Sequence, residues 1–106
     1  MFTTNYLGVP VKVKFDHVRL LCDEPNPRPV TNAIISIQIN GSWVEIASGA
    51  CIVHPNDLQH GSWSKAEGRK IALTRALLNG KHDFCKSKIF RRHIWREYFG
   101  KLGKVS

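Results

Sequence analysis

From Val9 to Phe15 the chain alternates strictly: Val9, Val11, Val13 and Phe15 share one side of an extended backbone, and Lys12 and Lys14 take the other. That period of two predicts a strand with one covered face. Past Asp16 and His17 the apolar parity switches to Val18, Leu20 and Cys22, which predicts a bulge or sharp bend before the strand resumes. Three prolines follow in the segment Asp23 to Pro29, and because proline cannot donate to a ladder this segment reads as a loop.

The pair Asn40-Gly41 satisfies the two positive φ angles of a tight type I′ turn and predicts a hairpin. A two-residue turn sets the register: Ile39 faces Ser42, Ile37 faces Val44 and Ile35 faces Ile46 on the apolar side. Gln38 with Trp43 and Ser36 with Glu45 lie on the other. Gly49 is expected to bend the returning strand, which runs on through Ala50 to Val53 and stops at His54-Pro55. Asn56 to Ser62 reads as a polar loop, and Ser64-Lys65-Ala66-Glu67 has capping-box spacing, so a helix should start there and run to about Asn79, with Gly80 at C′. A second helix is expected from Asp83 or Ser87 to Gly100, leaving KLGKVS as a frayed basic tail.

The expected fold is therefore α+β, with a three-stranded antiparallel sheet whose hairpin turns at Asn40-Gly41 and two C-terminal helices packed on one face. At 106 residues the chain suits one domain: residues 1–54 as the sheet layer, 64–99 as the helical layer and 100–106 as the tail.

Within the first helix, Gly68, Ala72 and Ala76 form a strip of small residues that lets another backbone approach, and its plainer reading is packing on the sheet or the second helix. Arg69 lies inside that arc. It reads either as a side chain snorkelling at the core edge or paired to Asp57 or Glu45, or as a clamp for phosphate or carboxylate. On the second helix Phe90, Ile94 and Tyr98 make one apolar row and Trp95 with Phe99 the next, so a broad arc is assigned to the core. Lys88, Arg92 and Arg96 recur along its border, either as a solvated face or as a contact surface flanked by Arg91 and Lys86.

Charge sharpens the second option. Sixteen Lys and Arg against eight Asp and Glu leave a net charge of +8, and most of the cations fall in the helical third. Such a surface suits nucleic acid or an acidic protein partner. The candidate contact residues are Lys88, Arg91, Arg92, Arg96 and Lys86, with Arg69 and Arg75 in support. If the helices cover the isoleucine face of the sheet, Lys12, Lys14, Gln38 and Trp43 form a secondary surface on the other face, with Glu45 opposing phosphate there.

Other chemistry is thinly supplied. Cys51-x-x-His54 and His82-x-x-Cys85 each have the spacing of half a zinc site, but Cys51 fits as a buried strand thiol and His54 simply precedes a strand-ending proline, so no metal or other cofactor is expected. His54, Asp57 and His60 suggest a metal-dependent nuclease without supplying its second half, and no catalytic residue is assigned. The odd set Cys22, Cys51 and Cys85 argues against a disulfide framework. With no signal-peptide-like apolar run and no segment near ~18 apolar residues, a cytoplasmic protein is expected, away from membranes.

The run His54-Pro55-x-Asp57, then Gly68 through Leu77 (GRKIALTRAL), then Arg92-x-x-Trp95-x-x-Tyr98, resembles a pattern in small proteins encoded by bacteriophages and prophages. The resemblance spans about half the chain and implies a phage accessory protein acting in the host cytoplasm. It carries over no catalytic residue, and it draws attention to Arg69 and Arg75 as polar points of the matching segment. Proteins of that kind commonly bind and redirect a host machine, so an inhibitor of a host nucleic-acid-handling or defence enzyme is the alternative to direct DNA or RNA contact.

Overall fold

The computed structural model describes residues 1–20, 28–52 and 65–105, with side chains at 1–17, 30–52 and 66–100. Four strands, β1 (Phe2–Tyr6), β2 (Val9–Leu20), β3 (Arg28–Ile39) and β4 (Ser42–Ile52), form an antiparallel meander in the order β1-β2-β3-β4. They are followed by α1 (Lys65–Asn79), a single turn α2 (Asp83–Lys86) and α3 (Lys88–Val105). The α+β class and the C-terminal helices agree with the sequence pattern; the strand count does not.

The additional strand is β1. Phe2, Thr4 and Tyr6 alternate as a strand should, opposite Val13, Val11 and Val9. Its link to β2 is Leu7-Gly8, with φ of 50° and 79°. Leucine rarely accepts the left-handed region, so the turn carries no sequence signature.

β2 contains no bulge at Asp16-His17. Its pairing with β3 runs unbroken from Val11 opposite Ile37 to Leu20 opposite Arg28. Val18 pairs with Val30, and Val30 is buried on the face away from the helices. The proline-rich loop is also shorter than expected, because Arg28 and Pro29 already belong to β3. Pro29 stands near the start of β3, where a missing donor is more easily tolerated than at the centre of a sheet. The polar loop at Asn56 to Ser62, the strand end at His54-Pro55 and the capping box at Ser64 lie outside the described residues.

At the Asn40-Gly41 turn both residues have positive φ, 50° and 81°, and the pairs Ile39–Ser42, Gln38–Trp43, Ile37–Val44 and Ser36–Glu45 form as expected. A bulge then intervenes, so that Ile35 faces Ala47 instead of Ile46. Without it the β4 side chains beyond would sit on the wrong face. The shift places Ala47, Gly49 and Cys51 opposite Ile35, Ala33 and Thr31, beneath the helices.

Gly49 admits α1. A Cβ there would strike the backbone N of Ala76 and stand 2.5 Å from the carbonyl O of Ala72. The small strip Gly68, Ala72 and Ala76 is buried at this crossing, and Leu73 and Leu77 fill the space beside it. Gly80 is likewise a matter of room. It lacks the positive φ of a left-handed C′ residue, and a Cβ on it would come within 2.6 Å of Cys85 Sγ and 2.9 Å of Ala47 Cβ.

Both suggested starts of the second helix are used. His82 Nδ1 accepts the Phe84 N–H at 3.1 Å to cap α2, and the Ser87 hydroxyl accepts the Phe90 N–H at 3.4 Å to open α3. α3 passes straight through Gly100 to Val105, so the expected frayed tail is helical. It lies across β1, whereas α1 covers β3 and β4. Phe90, Ile94 and Tyr98 face the sheet and are buried, with Tyr6 meeting Phe90 edge-on at 5.0 Å between ring centroids.

Tyr98 is buried among Phe2, Phe15 and Trp95, and its hydroxyl has no hydrogen-bond partner among the described residues. A buried unsatisfied hydroxyl costs about 1–3 kcal/mol. Tyr98→Phe is therefore expected to raise the urea midpoint, by an amount equivalent to roughly 1 kcal/mol. A lowered midpoint would reveal a bonded hydroxyl.

Candidate functional site

Helical spacing and the row Phe90, Ile94 and Tyr98 together fix what α3 shows to solvent. Lys88, Arg92 and Arg96 are exposed, as the four-residue spacing requires once that row is turned inward. None of the three has an ion pair or side-chain hydrogen bond among the described residues, and the single ion pair found there is Lys14 with Asp16 at 3.8 Å on the sheet. Lys86, on α2, is also exposed. Arg91 is half-buried and turned toward Cys85. Burial pushes the Cys85 thiol above its ordinary value, and the positive charge of Arg91 partly offsets the rise.

The other two arginines separate from this group. Arg69 continues the Leu73–Leu77 row by one turn and is half-buried, with no ion pair or hydrogen bond among the described residues. Glu45 cannot serve as its partner, because it lies on the sheet face away from α1 along with Trp43 and Lys12. Asp57 lies outside the described residues. Arg75 donates from Nη1 to the Ala50 carbonyl at 2.7 Å, tying α1 to edge strand β4. It is a brace as well as an exposed cation.

Phe99 departs from the apolar arc assigned to the core. It is 51% exposed, whereas Trp95 is half-buried against the core. α3 docks at the β1 edge of the sheet, and Phe90, Ile94 and Tyr98 are its buried row. Phe99 stacks on Trp95 with centroids 5.6 Å apart and planes at 23°, and Lys70 from α1 places Nζ 5.7 Å from its ring.

On the open sheet face Lys12 does lie with Trp43, its Nζ 4.6 Å from the ring centroid, and Trp43 is exposed. Lys14 and Gln38 share that face by register. So do Asp16 and Glu45, which balance the two lysines. A shallow hollow of about 440 Å³ on the β4 side is lined by Asn32, Ile34, Glu45, Ser48, Ala50 and Asn79, among others. Glu45 is its sole ionisable side chain, so it holds no acid–base pair.

Of the proposed zinc set, Cys51 and Cys85 are buried in the apolar core and His82 commits Nδ1 to the α2 cap. His54 lies outside the described residues, as do Asp57 and His60, and no group of three or more metal-ligating side chains occurs among the described residues. No described helix is long and apolar enough to cross a membrane. A scan against protein-family models and searches of curated proteins and of solved structures return no match to this chain.

Proposed function

We propose that this protein is a small, basic, non-enzymatic binding module that holds DNA or RNA mainly through backbone phosphates, with α3 as the contact element. The observation that carries the reading is the row Lys88, Arg92 and Arg96: solvent-facing, unpaired among the described residues, and mounted on a helix whose opposite side is anchored by Phe90 and Ile94. From residue 65 to residue 100 the only carboxylates are Glu67, Asp83 and Glu97, so little nearby charge competes with phosphate. A rigid cationic row positions a polyanion without reading base sequence. The pattern resembling phage proteins adds an accessory role in the cytoplasm of an infected host.

The test is salt dependence. If about four cations displace counterions, binding should weaken roughly 100-fold between about 50 and 200 mM salt, and Arg92→Ala with Arg96→Ala should flatten the logarithmic slope by about 2. Fluorescence anisotropy with a labelled oligonucleotide measures both. Binding that is insensitive to salt or to the double substitution counts against the reading. Co-purification of one stoichiometric host protein after nuclease treatment favours the rival, an inhibitor of a host enzyme.

A further inference from the structure

We infer that Phe99 extends the basic row into a stacking platform for an unpaired base, making single-stranded nucleic acid the preferred ligand of this surface. The inference rests on the α3 contact proposed above and adds the class of strand.

Helical geometry puts cations and ring on one face. Arg92, Arg96 and Phe99 follow spacings of four and three residues, which place successive side chains above one another. Phe99 is thus flanked by Arg96 on its own helix, and Lys70 from α1 reaches over the ring with Nζ 5.7 Å from its centroid, where a phosphate beside a stacked base would draw it aside. The ring is half exposed, and its orientation is set from behind. Phe99 stacks on Trp95, Trp95 meets Tyr98 edge-on at 5.7 Å and 84°, and Tyr98 is buried in the core. Three linked rings leave little freedom to lose when a base lands on the outermost one.

Complementarity names the occupant. An aromatic face framed by ammonium and guanidinium groups matches a nucleotide, which offers a flat base beside an anionic phosphate. A base inside a duplex has both faces covered by its neighbours, so only an unpaired base can use the ring. Trp43 is a poorer platform, because Asp16 and Glu45 offset the lysines of that face.

The experiment compares labelled oligo-dT, oligo-U and a DNA duplex of equal length as ligands of the full chain at one salt concentration. Phe99→Leu keeps apolar bulk and removes the ring face; Phe99→Tyr restores it. Phe99→Leu should weaken both single strands about 5- to 100-fold and the duplex less than about 2-fold, with Phe99→Tyr close to wild type. Equal losses on single strands and duplex, or no loss on single strands, overturn the inference. If those results come with a duplex affinity that still depends on Arg92 and Arg96, the phosphate contact stands and only the platform falls. If the wild-type chain binds none of the three probes, both fall. Unchanged urea midpoints for the Phe99 variants keep any loss attributable to the surface.

Discussion

Gly49→Ala is expected to cost at least about 3 kcal/mol, since overpacking a tight contact costs ~1–3 kcal/mol even where side chains can adjust. Here they cannot. The added carbon would meet main-chain atoms: Ala76 N, Ala72 O at 2.5 Å and the Arg75 carbonyl carbon at 2.8 Å. A helix backbone has no rotamer to change, so α1 would have to lift off β4. Lifting it opens the contacts of Ala72, Leu73, Ala76 and Leu77, all buried, and pulls Arg75 from the Ala50 carbonyl. Against a total stability of about 5–15 kcal/mol that loss is severe. Urea denaturation followed by circular dichroism measures it, with Gly100→Ala as the comparison. Gly100 is helical and a Cβ there meets nothing within 4 Å, so alanine should stabilise by roughly 0.5–1 kcal/mol. A Gly49→Ala midpoint within a few tenths of a kcal/mol of wild type would falsify the close approach of α1 and β4.

Gly49 also marks the limit of what local patterns reveal. The strip Gly68, Ala72 and Ala76 implies that some backbone comes close, but not which one, because tertiary approach leaves no local signature at its partner Gly49. The hairpin register was legible for four residue pairs, since turn chemistry and alternation agree there. It failed at the bulge, where Ile46 and Ala47 are both apolar and either could face inward. A leucine in a turn that normally takes Asn or Gly hides β1, and glycine's helix penalty of about 1 kcal/mol makes Gly100 look like a stop although α3 runs through it.

The candidate surface divides in the same way. Lys88, Arg92 and Arg96 were found by spacing alone, because the position of a buried row at Phe90, Ile94 and Tyr98 determines the opposite side of a helix. Phe99 was not. Its place beside Trp95 suggests burial, but how wide an arc a helix buries depends on what it lies on, and α3 lies at the β1 edge of the sheet. The exposed ring follows from the topology of the sheet, which spacing on α3 cannot report.

Phe90→Ala is the second large effect, with an expected loss of about 3–5 kcal/mol. Phe90 and Phe99 lie on the same helix and are chemically identical, so comparing them separates burial from residue type. Phe90 is fully buried, with Tyr6 edge-on at 5.0 Å and Phe84 at 5.4 Å. Removing the ring leaves a void among β1, α2 and α3, three short or peripheral elements whose mutual contacts run through it. Tyr6 also touches His93, whose Nε2 lies 3.0 Å from the Thr4 hydroxyl, so loosening Phe90 loosens the bond that ties α3 to β1. Amide hydrogen exchange should therefore accelerate in β1 and α3 well before it does in β2 and β3, which are paired on both sides and carry Val11, Val13, Ile35 and Ile37 at the centre of the core. Phe99→Ala, by contrast, should shift the urea midpoint by no more than about 0.5 kcal/mol, as exposed positions do. The two substitutions should also split in binding at a temperature where both proteins are folded. Phe90→Ala should weaken single strand and duplex together, because it unseats the whole cationic row, whereas Phe99→Ala should act on single strands alone. Equal stability losses at the two positions would mean that α3 sits on the sheet rotated from the orientation described, with Phe99 inward and the row Lys88, Arg92 and Arg96 no longer facing solvent.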